Sequence, residues 1–120
     1  MTDSVANEAV EIIRIYDLLY SFGITANYSG FFHVSYGVYL AAKQPERLLL
    51  IKKWLYPEVA KRYGTTWNDV EHNICTIAAG VWNNSRSRLE HMARCALPDR
   101  PSASRFLGIL ADALHTDHAA

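Results

Sequence analysis

Apolar residues recur along this chain at three- and four-residue intervals, and nowhere do they alternate in the two-residue rhythm of a half-buried strand. From about Val5 to Phe22 the apolar line runs Val5, Ala9, Ile12, Tyr16, Leu19 and Tyr20, while Glu8, Glu11, Arg14 and Asp17 hold the opposite side. That pattern predicts an amphipathic helix stopped by Gly23, since glycine enters the left-handed conformation that ends helices. A second helix follows from about Gly30 to Lys43, with Phe32, Tyr36, Tyr39 and Leu40 on one face, and ends at Gln44-Pro45. Such an aromatic row predicts core, with a base-stacking platform or partner groove as the functional alternative.

Between Glu46 and Tyr63 the helical period continues through Leu49, Leu50, Trp54, Leu55, Val59 and Tyr63, but Pro57 cannot donate its backbone hydrogen bond. Two helices meeting near Tyr56-Pro57 are therefore expected. From Trp67 the apolar positions fall at Trp67, Val70, Ile74, Ile77, Ala78 and Val81, and Thr66 with Asp69 fits a capping box at the helix start. Two helices joined by the short turn Tyr63-Gly64-Thr65-Thr66 outline a helix-turn-helix, a common way to present one helix to the DNA major groove. A shorter helical stretch from about Arg86 to Cys95 follows Asn83-Asn84. Beyond Pro98 and Pro101, Ser102 or Ser104 caps a last helix carrying Phe106, Leu107, Leu110, Ala113 and Leu114. The expectation is one all-α domain of about six helices spanning residues 1–120.

Composition sharpens this picture. Half of the 120 residues are hydrophobic, enough for one core, and twelve basic side chains balance twelve acidic ones, so no global field draws the chain to nucleic acid or an anionic membrane. Local patches must select partners. Residues 43–62 carry six cations and two anions, residues 63–85 carry only Asp69 and Glu71, and residues 86–105 carry five cations and two anions. Two basic segments thus flank a recognition helix that lacks Lys and Arg. The apolar stretches are too interrupted for a signal peptide or membrane span, so Cys75 and Cys95 are expected to be reduced thiols in a cytoplasm.

The run from Leu55 to Thr66, then Val70-Glu71 and Val81-Trp82, resembles the C-terminal effector domain of the master sporulation response regulator of endospore-forming bacteria. The likeness extends to Phe22-Gly23-Ile24, Gly30-Phe31 and Ala111-Asp112-Ala113-Leu114 with His118. It implies a six-helix DNA-binding domain that reads short operator boxes, often in tandem, and contacts an RNA polymerase sigma factor. In that family the domain follows a phosphorylatable receiver, for which this chain has no alternating strands and helices. Control by phosphorylation is therefore not carried over; an excised fragment, or a free-standing protein governed by abundance or a partner, is expected instead.

The departures from the family pattern fall mainly on the recognition helix, with one more just before the second helix. Basic side chains are usual at the positions held here by Asp69, His72 and Cys75, a polar or basic one at that of Thr76, and a basic one at that of Ser29. Each arginine–guanine contact contributes about 1–3 kcal/mol of discrimination, so losing two removes roughly 2–6 of the ~4–10 kcal/mol that separates specific from non-specific binding. The family's operator is not the expected target.

The face opposite the buried stripe, with Asn68, His72, Cys75 and Thr76 and with Glu71 on its flank, still has the donors, acceptors and methyl groups to read bases. Its phosphate grip must come from Lys52, Lys53, Lys61, Arg62, Thr66, Arg86 and Arg88. Double-stranded DNA is the partner this implies. The competing reading is a protein-interaction module that kept the scaffold and acts on a sigma factor or a related full-length regulator. Apolar residues around the first two helices would allow a homodimer and equally suit a core. His72-x-x-Cys75 and His91-x-x-x-Cys95 match no zinc spacing, and no phosphate loop or nucleophile elbow is present, so neither a metal, a cofactor nor catalysis is expected.

Overall fold

The computed structural model describes residues 2–119, with side chains from Glu8 to His115; the side chains of Val5 and His118 lie outside the described residues. Six α-helices enclose one core: α1 (Thr2–Ser21), α2 (Phe31–Lys43), α3 (Ile51–Trp54), α4 (Tyr56–Tyr63), α5 (Trp67–Ala93) and α6 (Ala103–Ala119). A 3-10 turn over Pro45–Leu50 leads into α3, and no strand occurs among the described residues.

Helix α2 is the centre, packed on by α1, α4, α5 and α6. Gly30 precedes it because nothing larger fits: a Cβ there would stand 2.7 Å from the Asn73 carbonyl oxygen and 2.9 Å from Ile77 Cδ1. The buried line of α2 is Phe31, Val34, Ser35, Val38 and Ala41, with the Ser35 hydroxyl satisfied by the Phe31 carbonyl at 2.7 Å. The aromatic row expected in the core is instead its rim. Phe32 is 39 % exposed and Tyr36 and Tyr39 are half-buried, because the close approach of four neighbouring helices selects the slimmer face containing Ser35, Gly37 and Ala41.

Helix α1 turns similarly from expectation. Ile15, Leu19 and Phe22 are buried, whereas Ala9 and Tyr20 are exposed and Ile12 and Tyr16 half-buried. The C-terminal half of α1 docks on the core, with Leu19 common to the expected and observed stripes, and Arg14 reaches across to donate to the Leu114 carbonyl at 3.1 Å. Gly23 ends the helix at φ +81°, as its sequence position predicts.

The segment from Pro45 to Tyr63 breaks twice, at Leu50-Ile51 and at Leu55, and Pro57 occupies the first turn of α4, where its missing donor costs nothing. Each break resets the angular register, so the single stripe expected there does not persist. Leu55, Tyr56, Val59 and Ala60 are buried; Leu49, Leu50, Trp54 and Tyr63 are exposed. Helix α5 runs through Asn83-Asn84 and bends at Ser85 (φ −142°, ψ 38°), where separate helices were expected. It closes on Arg94 in the left-handed region. Ser102 rather than Ser104 caps α6, accepting the Arg105 N–H at 3.2 Å.

Candidate nucleic-acid interface

The turn between α4 and α5 is built by local chemistry. Gly64 adopts φ 63°, ψ 40°, which closes α4 and lets the Thr65 N–H reach the Ala60 carbonyl at 2.9 Å. Thr66 is extended, and its hydroxyl accepts the Asp69 N–H at 3.2 Å. The Asp69 carboxylate accepts from the Thr65 hydroxyl at 2.8 Å rather than closing the box on Thr66. Its negative charge sits where the α5 dipole favours it.

Val70, Ile74, Ile77, Ala78 and Val81 of α5 are buried, so the face bearing Asn68, His72, Cys75 and Thr76 is exposed. The Thr76 hydroxyl donates to the His72 carbonyl at 2.8 Å. One flank is sealed against α2: the Asn73 amide nitrogen donates to His33 Nδ1 at 3.2 Å, which leaves the imidazole proton on Nε2. Burial pushes the His33 pKa down, against a smaller upward pull from Asp69. On the other flank Glu71 is half-buried and lies 3.8 Å from Lys52 Nζ, which also stands over the Trp67 ring at 5.8 Å. The Cys75 thiol is pushed up by burial and then by Glu71, against a downward pull from Arg100.

The seven phosphate candidates separate into two groups. Lys52, Lys53, Lys61 and Thr66 are exposed along α3, α4 and the turn. Arg62, Arg86 and Arg88 spend their guanidiniums within the subunit. Arg62 stacks over Tyr36 at 4.4 Å and lies 3.8 Å from Glu8. Arg86 donates to the Leu97 carbonyl at 2.8 Å, pairs with Glu90 at 3.6 Å and covers the Trp82 ring. Arg88 donates to the Ser21 hydroxyl at 2.8 Å and lies over Phe22. The Arg86–Glu90 spacing of four is a signal in the sequence; the long-range partners of Arg62 and Arg88 leave none. Two contributors were not singled out from the sequence: the His33–Asn73 brace and Arg100.

A family model for the sporulation initiation factor Spo0A C-terminal domain matches residues 15–114, most of the chain. This chain belongs to that family. The Spo0A C-terminal family is the DNA-binding effector domain of sporulation regulators; it interacts with an RNA polymerase sigma factor and is not an enzyme family. In this member of the Spo0A C-terminal family, no described helix is long and apolar enough to cross a membrane. Among the described residues no three His, Cys, Asp or Glu side chains gather as metal ligands would.

Proposed function

We propose that this domain binds double-stranded DNA with the outward face of α5 in the major groove. Asn68 pairs with adenine, His72 donates to guanine, Thr76 touches a thymine methyl and Cys75 lies among them; Glu71 accepts from cytosine when Lys52 turns to a phosphate. Lys52, Lys53, Lys61 and Thr66 hold the backbone. The observation that carries this reading is the exposed, uncharged α5 face at the exit of the Gly64 turn, with Lys52 on its Glu71 flank and Lys61 exposed on the preceding helix. With few cations the affinity is modest, and discrimination comes from neutral side chains.

A second reading, an interaction module acting on a sigma factor or a related full-length regulator, is favoured by one observation. Asp69 and Glu71 stand at the entrance of α5, while Arg62, Arg86 and Arg88, though exposed, are engaged with partners inside the subunit. Salt separates the two. Three lysine–phosphate contacts predict binding to mixed-sequence duplex at low salt, with log K falling against log salt at a slope of about −2.7 or steeper. Absence of binding at low salt assigns the domain to protein partners.

A further inference from the structure

We infer that Trp67, the first residue of α5, is a DNA-backbone contact whose indole packs on the sugar between phosphates held by Thr66 and Lys52. Trp67 begins the apolar stripe of α5, yet it is 43 % exposed, whereas Val70 and Ile74, next on that stripe, are fully buried. Among the described residues the Lys52 ammonium is its one ionic or aromatic partner, and its indole N–H donates to no protein acceptor.

Two phosphate ligands bracket this ring. Thr66 precedes it in the chain, and the Thr66 hydroxyl accepts the Asp69 N–H at 3.2 Å, which leaves its own proton for a phosphate oxygen. Lys52 reaches the ring from α3. Its Nζ stands 5.8 Å from the Trp67 ring centroid and 3.8 Å from Glu71 Oε2, about one turn further along α5. In a DNA strand a deoxyribose joins neighbouring phosphates, so a phosphate at each of these points lays the sugar between them against the indole. At 5.8 Å the ammonium is close to the ~6 Å limit of cation–π attraction, so Lys52 gives up little in turning to a phosphate and vacates the ring for the sugar.

This chemistry suits a reading helix without Lys or Arg. Packing a ring on a sugar takes apolar surface of both out of water, so it adds affinity without adding charge. The contact is to the backbone and carries no sequence information, which leaves discrimination to the neutral face beside it.

The inference rests on the proposed DNA binding and is tested on the whole chain with mixed-sequence duplex and with a second duplex of unrelated sequence. Each is titrated over a range of salt at a temperature where every variant is folded. Trp67→Ala is expected to weaken both duplexes by about tenfold and to keep the wild-type salt slope, because a sugar contact releases no counterions. Trp67→Phe, which keeps a ring, is expected to recover most of that loss. Acrylamide quenching gives a readout that does not need the alanine variant. Duplex is expected to shield the part of the wild-type emission that Trp67→Phe removes, against the background of Trp54 and Trp82. Wild-type affinity in Trp67→Ala, a Trp67→Phe as weak as Trp67→Ala, or unshielded Trp67 emission overturns the contact. A shallower slope in Trp67→Ala also overturns it, by making Trp67 a support for Lys52 alone. A wild-type chain that fails to bind overturns the proposed function itself, so the two failures are distinct.

Discussion

Gly30→Ala is expected to destabilise the domain by about 2 kcal/mol, lowering the melting temperature by roughly 6–10 °C, and to weaken DNA binding beyond that loss. The added Cβ would sit 2.7 Å from the Asn73 carbonyl oxygen, 2.9 Å from Ile77 Cδ1 and 3.0 Å from the Asn73 carbonyl carbon. A flexible side chain could retreat, but two of these atoms are α5 backbone. The helix must therefore move away from α2, stretching the Asn73–His33 hydrogen bond and tilting the reading face against α4. Denaturant midpoints report the first effect, with an unchanged m value showing that the fold is kept. Duplex titration reports the second, at a temperature where the variant is fully folded. A variant of wild-type stability would mean that α2 and α5 are not in the close contact described here.

The second large effect divides the cations. Lys52→Ala combined with Lys61→Ala is expected to cost about 60-fold in duplex affinity at 0.1 M salt and to make the slope shallower by about 1.8, since each lysine releases its own counterions. Loss of Lys52 also leaves Glu71 without its partner, adding repulsion at the groove. Arg62→Ala, Arg86→Ala and Arg88→Ala are expected to keep the wild-type slope. Arg86→Ala instead lowers stability by about 1 kcal/mol, a half-exposed charged hydrogen bond being worth less than a buried one. Slopes that change with the three arginines and not with the two lysines would reverse the assignment.

The features readable from sequence are those set within a few residues. Gly23, Pro57, Gly64 and the Thr66 cap each act through their own backbone geometry, and the structure finds them where the chain places them. Binary patterning also identified the buried side of α5 and of α6, except that Trp67, expected on the α5 stripe, is 43 % exposed at the first turn. Patterning fails where helices meet. Nothing in the spacing of Phe32, Tyr36 and Tyr39 reveals that the slim face beside them fits under four helices, and the α1 stripe is fixed by its docking on α2 and α6. Charge assignments are harder still. Arg88 finds Ser21 sixty-seven residues away, and Arg62 finds Tyr36 and Glu8 on two other helices, so a count of basic residues near the recognition helix overstates the cations available to phosphate.

The two natural thiols offer the most direct test that α5 enters the groove. Cys75 lies exposed on the reading face, and Cys95 lies exposed beyond the far end of α5, near Arg105. Alkylation of both is followed at alkaline pH, the thiolate being the reacting form of cysteine, in the presence and absence of saturating mixed duplex at low salt. The account predicts that bound DNA slows modification of Cys75 strongly and leaves Cys95 at its free rate. Duplex that binds while Cys75 reacts as fast as in the free protein would contradict it.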